Sequence, residues 1–137
     1  LPALGISTYI FLILFCFGRL ASIHSSERFI AIMKKAIDKM QDSCGDRKRF
    51  SEADIAFHLA IAAGSKHSLY ATVLSALEKR SIEYANLNRG DNEWYLNVIN
   101  THQKIFDAIA KGKAEEAAAA MKRHLILSRR HYVDLDR

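Results

Sequence analysis

Asp54, His58, His102 and His124 are of types that bind metal ions, and their spacing allows them to converge. Asp54 and His58 are four residues apart in the run Ala-Asp-Ile-Ala-Phe-His-Leu-Ala-Ile-Ala-Ala from Ala53 to Ala63. At that spacing on a helix, two side chains lie on one face, a single turn from each other. Every other residue of the run is apolar, so the helix is expected to be buried and to carry its two polar groups inside. A buried carboxylate must be paired or must bind a cation, because desolvating it alone is very costly. No Lys or Arg lies in the run to neutralise it. His102 and His124 fall on two further segments with apolar stripes, Ile105, Phe106 and Ile109 following the first, and Met121, Leu125 and Leu127 surrounding the second. Three imidazoles and one carboxylate from three helices form a site suited to Zn²⁺, Ni²⁺, Mn²⁺ or a similar divalent ion. Periodicity leaves a second description open, in which Asp54 and His58 are a buried hydrogen-bonded pair and His102 an ordinary helix residue.

These residues need helices to position them, and the sequence supplies helices throughout. It has 137 residues, one proline and 6 glycines. So few turn formers argue against an all-β fold, and the length fits one domain, 1–137, with a real core. Periodicity and punctuation predict six helical segments. The first covers about 4–23. The second starts after Ser25 or Ser26, carries Phe29, Ile30, Met33, Ile37 and Met40, and stops near Gly45. A basic loop, 46–50, comes next. The third helix is expected to open at Ser51 as N-cap and to close at Gly64 in a left-handed cap. A fourth covers about 68–87, a fifth starts at Asp91 and ends at Lys111 before Gly112, and an alanine-rich sixth extends from Ala114 to about Val133. Connections this short make neighbouring helices antiparallel.

The bulk composition narrows the function classes. Half of the residues are apolar and 26% are charged, with a formal charge of +5. The basic residues are dispersed, the densest groups being Arg47, Lys48 and Arg49, and Lys122, Arg123, Arg129 and Arg130. A basic balance permits contact with nucleic acid or an anionic ligand, but no DNA-recognition motif accompanies it. Cys16 and Cys44 have no metal-ligand spacing and read as free thiols of a reducing cytoplasm. The apolar stretch 4–17 is shorter than the ~20 residues that span a bilayer and lacks the preceding positive charge of a secretory signal. No membrane association is expected, and the stretch reads as a buried helix of the bundle or as one covered by a missing upstream partner. The sequence begins at Leu1 rather than Met, so an N-terminal portion is expected to be absent.

The phrases D-x-x-F-H from Asp54 to His58, H-x-x-I-x-x-A-I-x-x-G from His102 to Gly112, and A-x-x-x-M-x-x-H-L from Ala117 to Leu125 together resemble the FCD domain. This is the C-terminal ligand-binding domain of FadR-type regulators in the GntR family. The resemblance covers about 25–132, and the separations of 44 residues from His58 to His102 and 22 from His102 to His124 fit it. It implies an all-α antiparallel bundle of six to seven helices with a central cavity. It also implies a divalent metal on Asp54, His58, His102 and His124, Zn²⁺ being the first expectation and Ni²⁺ or Mn²⁺ the alternatives. The effector would be a small organic acid, and the assembly a homodimer. DNA would be bound only through an N-terminal winged helix-turn-helix domain, which is expected to be absent from this chain. Two departures stand out: residues 1–24 lack the charges usual in the family's first helix, and Lys113 replaces the acidic residue that often follows the glycine.

The expected function is effector sensing rather than catalysis. A divalent ion with a single carboxylate ligand keeps net positive charge and favours an anion. Arg80 and Arg123 are candidates for the ligand's far end, Tyr84, Asn97 and Asn100 for added hydrogen bonds, and His131, seven residues after His124, for the cavity wall. Two alternatives use the same ion: a purely structural metal in a helical interaction domain, and a metal-dependent hydrolase. The hydrolase needs a general acid or base near the open coordination position, and Glu52, Glu78, Glu83 and Glu93 all sit in polar surroundings.

Overall fold

The structure, a computed structural model, describes residues 26–66, 72 and 91–135, with side chains to 127. The described residues form four helices and no strand: α1 (Glu27–Gln41), α2 (Arg47–Gly64), α3 (Asn92–Ala110) and α4 (Ala114–Leu135). The helices expected at 4–23 and 68–87 lie outside the described residues. None of the described helices is long and apolar enough to cross a membrane.

Short turns fold α1 against α2 and α3 against α4, and α1 also packs on α3. The core is built as the periodicity requires. α1 buries Met33, Ala36, Ile37 and Met40, a stripe at helical spacing. α3 buries Tyr95, Ile99, His102, Ile105, Ala108 and Ile109. Opposite it α4 presents Ala117, Ala118, Ala120 and Met121, small side chains with one long one that fills the gap between helices. The N-terminal ends of α2 and α3 meet through aromatic rings: Phe50 lies 4.8 Å from Tyr95, edge to face, and 5.7 Å from Trp94.

Two expected boundaries are corrected. α2 begins one turn earlier than Ser51, and the expected basic loop is its first turn. Asp46 is the N-cap, its side chain accepting from the Arg49 N–H, and Ser51 is buried within the helix. Gly45, at φ +89°, reverses the chain just before the cap and leaves Asp46 free to take extended backbone. A good cap one turn upstream offsets the cost of placing Arg47, Lys48 and Arg49 at the positive end of the helix dipole. At the other end Gly64 is the last helical residue, and the left-handed position falls to Lys66, at φ 57°. Gly112 does close α3 as expected. It stands at φ 68°, with Gly112 N–H donating to Ile109 O and Lys113 N–H to Ala108 O, the paired bonds of a Schellman motif. Lys113 gives no side-chain cap to α4; its ammonium reaches Glu116 at 3.3 Å.

Candidate metal centre

Three helices deliver the four residues. α2 carries Asp54 and His58 one turn apart, α3 carries His102, and α4 carries His124. The potential ligand atoms of His58, His102 and His124 all lie within 4.8 Å of one another. Atoms bound to one ion at about 2.1 Å are at most about 4.2 Å apart, so the cluster is within a small side-chain adjustment of a binding arrangement. Asp54 joins through one oxygen: its Oδ1 lies 2.6 Å from His102 Nε2 and 3.2 Å from His58 Nε2. His102 and His124 are 0% and 6% exposed, and the side chains of His58 and Asp54 are 14% and 37% exposed. The group is therefore buried on its α3 and α4 side and accessible at Asp54.

Ring packing orients the imidazoles. Phe57, fully buried, sets its ring 4.8 Å from His102 and 5.6 Å from His58, tilted or edge-on to each. His102 and His124 pack edge to face at 4.4 Å, and His58 stacks on His124 at 5.2 Å. Phe57 belongs to the D-x-x-F-H phrase, yet nothing in its periodicity sets it apart from an ordinary core aromatic. Thr101 was not identified from sequence. Its hydroxyl lies 3.0 Å from His124 Nδ1 and donates to Val98 O at 2.8 Å. Its position immediately before His102 is the one available signal.

The hydrogen bonding fits a cation. His102 Nδ1 lies 2.7 Å from Val98 O, and a carbonyl only accepts, so Nδ1 carries the hydrogen. In the neutral ring Nε2 is then a bare lone pair, facing a carboxylate oxygen at 2.6 Å. Two acceptors at that separation repel unless a positive charge lies with them, either a proton on Nε2 or a metal ion. His58 Nδ1 is buried without a hydrogen-bond partner in the structure, an unusual state for a buried nitrogen. The donor set, three imidazoles and one carboxylate, suits a borderline divalent ion.

Electrostatics run the same way. Burial on its own raises the Asp54 carboxyl, but His102 and His58 together outweigh it and hold the group well below the usual carboxylate range. Burial pushes the His124 imidazole well below its ordinary range, and the neighbouring His102 and His58 push it further, against the opposing pull of Asp54. At neutral pH Asp54 is thus an anion and His124 a neutral ring, the forms that bind metal.

The remaining expected ligand-binding residues are placed as follows. Asn97 and Asn100, on α3, are exposed, and so is Arg123. Arg123 lines a cleft of about 360 Å³ between α3 and α4 with Lys104, Asp107, Lys111 and Glu116, and none of the four clustered residues lines it. Arg80 and Tyr84 lie outside the described residues, as does the side chain of His131.

The family model of the FCD domain matches residues 17–127. This chain belongs to the FCD family. FCD domains are non-catalytic regulatory domains that bind effectors, found in GntR-family transcription regulators. The FCD chain is 26% identical over 113 residues to the HTH-type transcriptional regulator LutR of Bacillus subtilis (strain 168), a match covering 77% of the chain and 51% of LutR. It therefore spans about half the length of that curated relative. Among solved structures it is similar to Streptococcus agalactiae GntR, with a TM-score of 0.77 at 20% identity, over 92% of the chain and 57% of the other. That likeness supports the all-helical fold.

Proposed function

We propose that this FCD domain senses a small organic acid at a divalent metal site formed by Asp54, His58, His102 and His124. By binding, the acid would control DNA recognition by an N-terminal winged helix-turn-helix domain within a homodimer. The observation that carries the reading is the facing of His102 Nε2 and Asp54 Oδ1 at 2.6 Å, which calls for a positive charge between or beside them. Zn²⁺ is the ion we favour, with Ni²⁺ or Mn²⁺ able to use the same donors. When bound, the ion supplies net positive charge and open coordination positions to which a carboxylate can attach.

The chain's own residues do the rest. Val98 O fixes the His102 ring, Phe57 holds His102 and His58 at their angles, and Asp54 sits at the accessible edge where an anion would enter. Arg80, Tyr84, Asn97, Asn100, Arg123 and His131 form the set to substitute in search of contacts to the ligand's far end. Because α2, α3 and α4 each contribute ligands, a bound acid that shifts one of them changes how all three pack. That is the physical route from an effector to a change in domain geometry.

The test is calorimetric titration of Zn²⁺-loaded and chelator-treated protein with small monocarboxylic, dicarboxylic and hydroxy acids. Binding of one class only to the loaded form is expected. Equal binding to both forms would separate the effector from the metal, and metal uptake with no acid binding would favour a structural metal in an interaction domain.

A further inference from the structure

Thr101 stands next to two of the four clustered residues and is itself no ligand. Its hydroxyl has a single proton, and that proton goes to Val98 O at 2.8 Å. Toward His124 Nδ1, 3.0 Å away, the same oxygen can therefore only accept. With the hydroxyl donating to Val98 O, the hydrogen of that contact comes from the imidazole, an arrangement that puts the His124 proton on Nδ1 and its lone pair on Nε2. Val98 O also receives the Nδ1 hydrogen of His102 at 2.7 Å. One backbone carbonyl, four residues before His102 and three before Thr101, thus orients two histidines on two helices, the second through a threonine hydroxyl.

We infer that Thr101 is a positioning residue that locks His124 in the Nδ1–H tautomer and so presents Nε2 to a divalent cation. This rests on the metal-site reading above, but the tautomer itself is a property of the metal-free protein. A metal-bound imidazole donates its other N–H to a fixed acceptor, and loss of such an acceptor generally costs about 10–100-fold in metal affinity. At position 101 a serine keeps the two-way hydroxyl. A valine keeps the shape and loses it, leaving a buried His124 N–H without its acceptor.

The experiment compares wild type with Thr101→Val and Thr101→Ser. The tautomer of His124 is read in metal-free protein from long-range ¹⁵N–¹H couplings of the ring, and the affinity for Zn²⁺ alone from competition with a chromophoric chelator. Wild type and Thr101→Ser are expected to show Nδ1–H, and Thr101→Val a mixture or Nε2–H with about 10–100-fold weaker Zn²⁺ binding. Nε2–H in wild type overturns the inference, whether or not any variant folds. Wild-type tautomer and affinity in a folded Thr101→Val overturn it equally. A wild type that shows Nδ1–H but takes up no Zn²⁺ sinks the proposed metal-centred function and leaves the tautomer lock standing.

Discussion

Replacing Asp54 by Asn removes the anion while keeping the shape, and its consequences in metal-free protein can be worked from the structure. Asp54 Oδ1 meets His102 Nε2 at 2.6 Å and His58 Nε2 at 3.2 Å. Hydrogen bonds to a charged group contribute about 1.5–3 kcal/mol. The side chain is 37% accessible, so solvent screening places the loss at the low end, about 1.5 kcal/mol. With about 2.1 cal/mol/K of unfolding entropy per residue, a chain of 137 residues should then melt about 5 °C lower. The pH dependence has a fixed sign. Asp54 is held below its ordinary range in the folded state, so its contribution is present above the unfolded carboxyl value and is lost only as pH falls through the lower folded one. Urea unfolding of both proteins with chelator present, at intervals from pH 7 to pH 4, should show a difference that persists across the range. A difference that disappears between pH 5.5 and pH 4.5 would mean that the histidines do not hold the carboxylate low, and would refute the reasoning.

Three further outcomes are expected. Burial and the adjacent His102 and His58 depress the His124 imidazole, so the unfolded chain takes up that proton first and stability should fall as pH drops below about 6.5; chelator-treated protein that is equally stable at pH 7.5 and pH 5.5 would contradict this. Phe57→Ala removes a fully buried ring that packs on His102 and His58 and should cost about 3–5 kcal/mol by denaturant unfolding. Gly112→Ala places a Cβ at φ 68° and should cost about 1 kcal/mol while leaving Zn²⁺ affinity unchanged.

Much of the arrangement was legible in the sequence because it depends on period. Met33, Ile37 and Met40 had to share one face of α1, and Asp54 and His58 one face of α2. That His102 and His124 meet them is a matter of how α3 and α4 pack, which no local pattern encodes; residue type and apolar stripes left the four-residue site as one of two descriptions, and the D-x-x-F-H and H-x-x-I phrases favoured it through resemblance. The start of α2 differs from the expected Ser51 because Ser51 and Asp46 are both competent caps, and the choice between them depends on the turn at Gly45. The left-handed residue after α2 was expected at Gly64, where glycine relieves the strain, yet it falls on Lys66. Thr101 escaped notice since a threonine inside a helix has no pattern of its own until His124 is seen 3.0 Å away.

The most direct test of the central claim is the divalent metal content of protein purified without added metal, wild type beside His102→Ala. His102 is fully buried, with its Nε2 2.6 Å from Asp54 Oδ1, so near-stoichiometric metal is expected in wild type and loss of it in the variant. A wild type that is metal-free and gains no Zn²⁺ when the ion is supplied would rule out the metal site and leave Asp54, His58, His102 and His124 as a largely buried polar network.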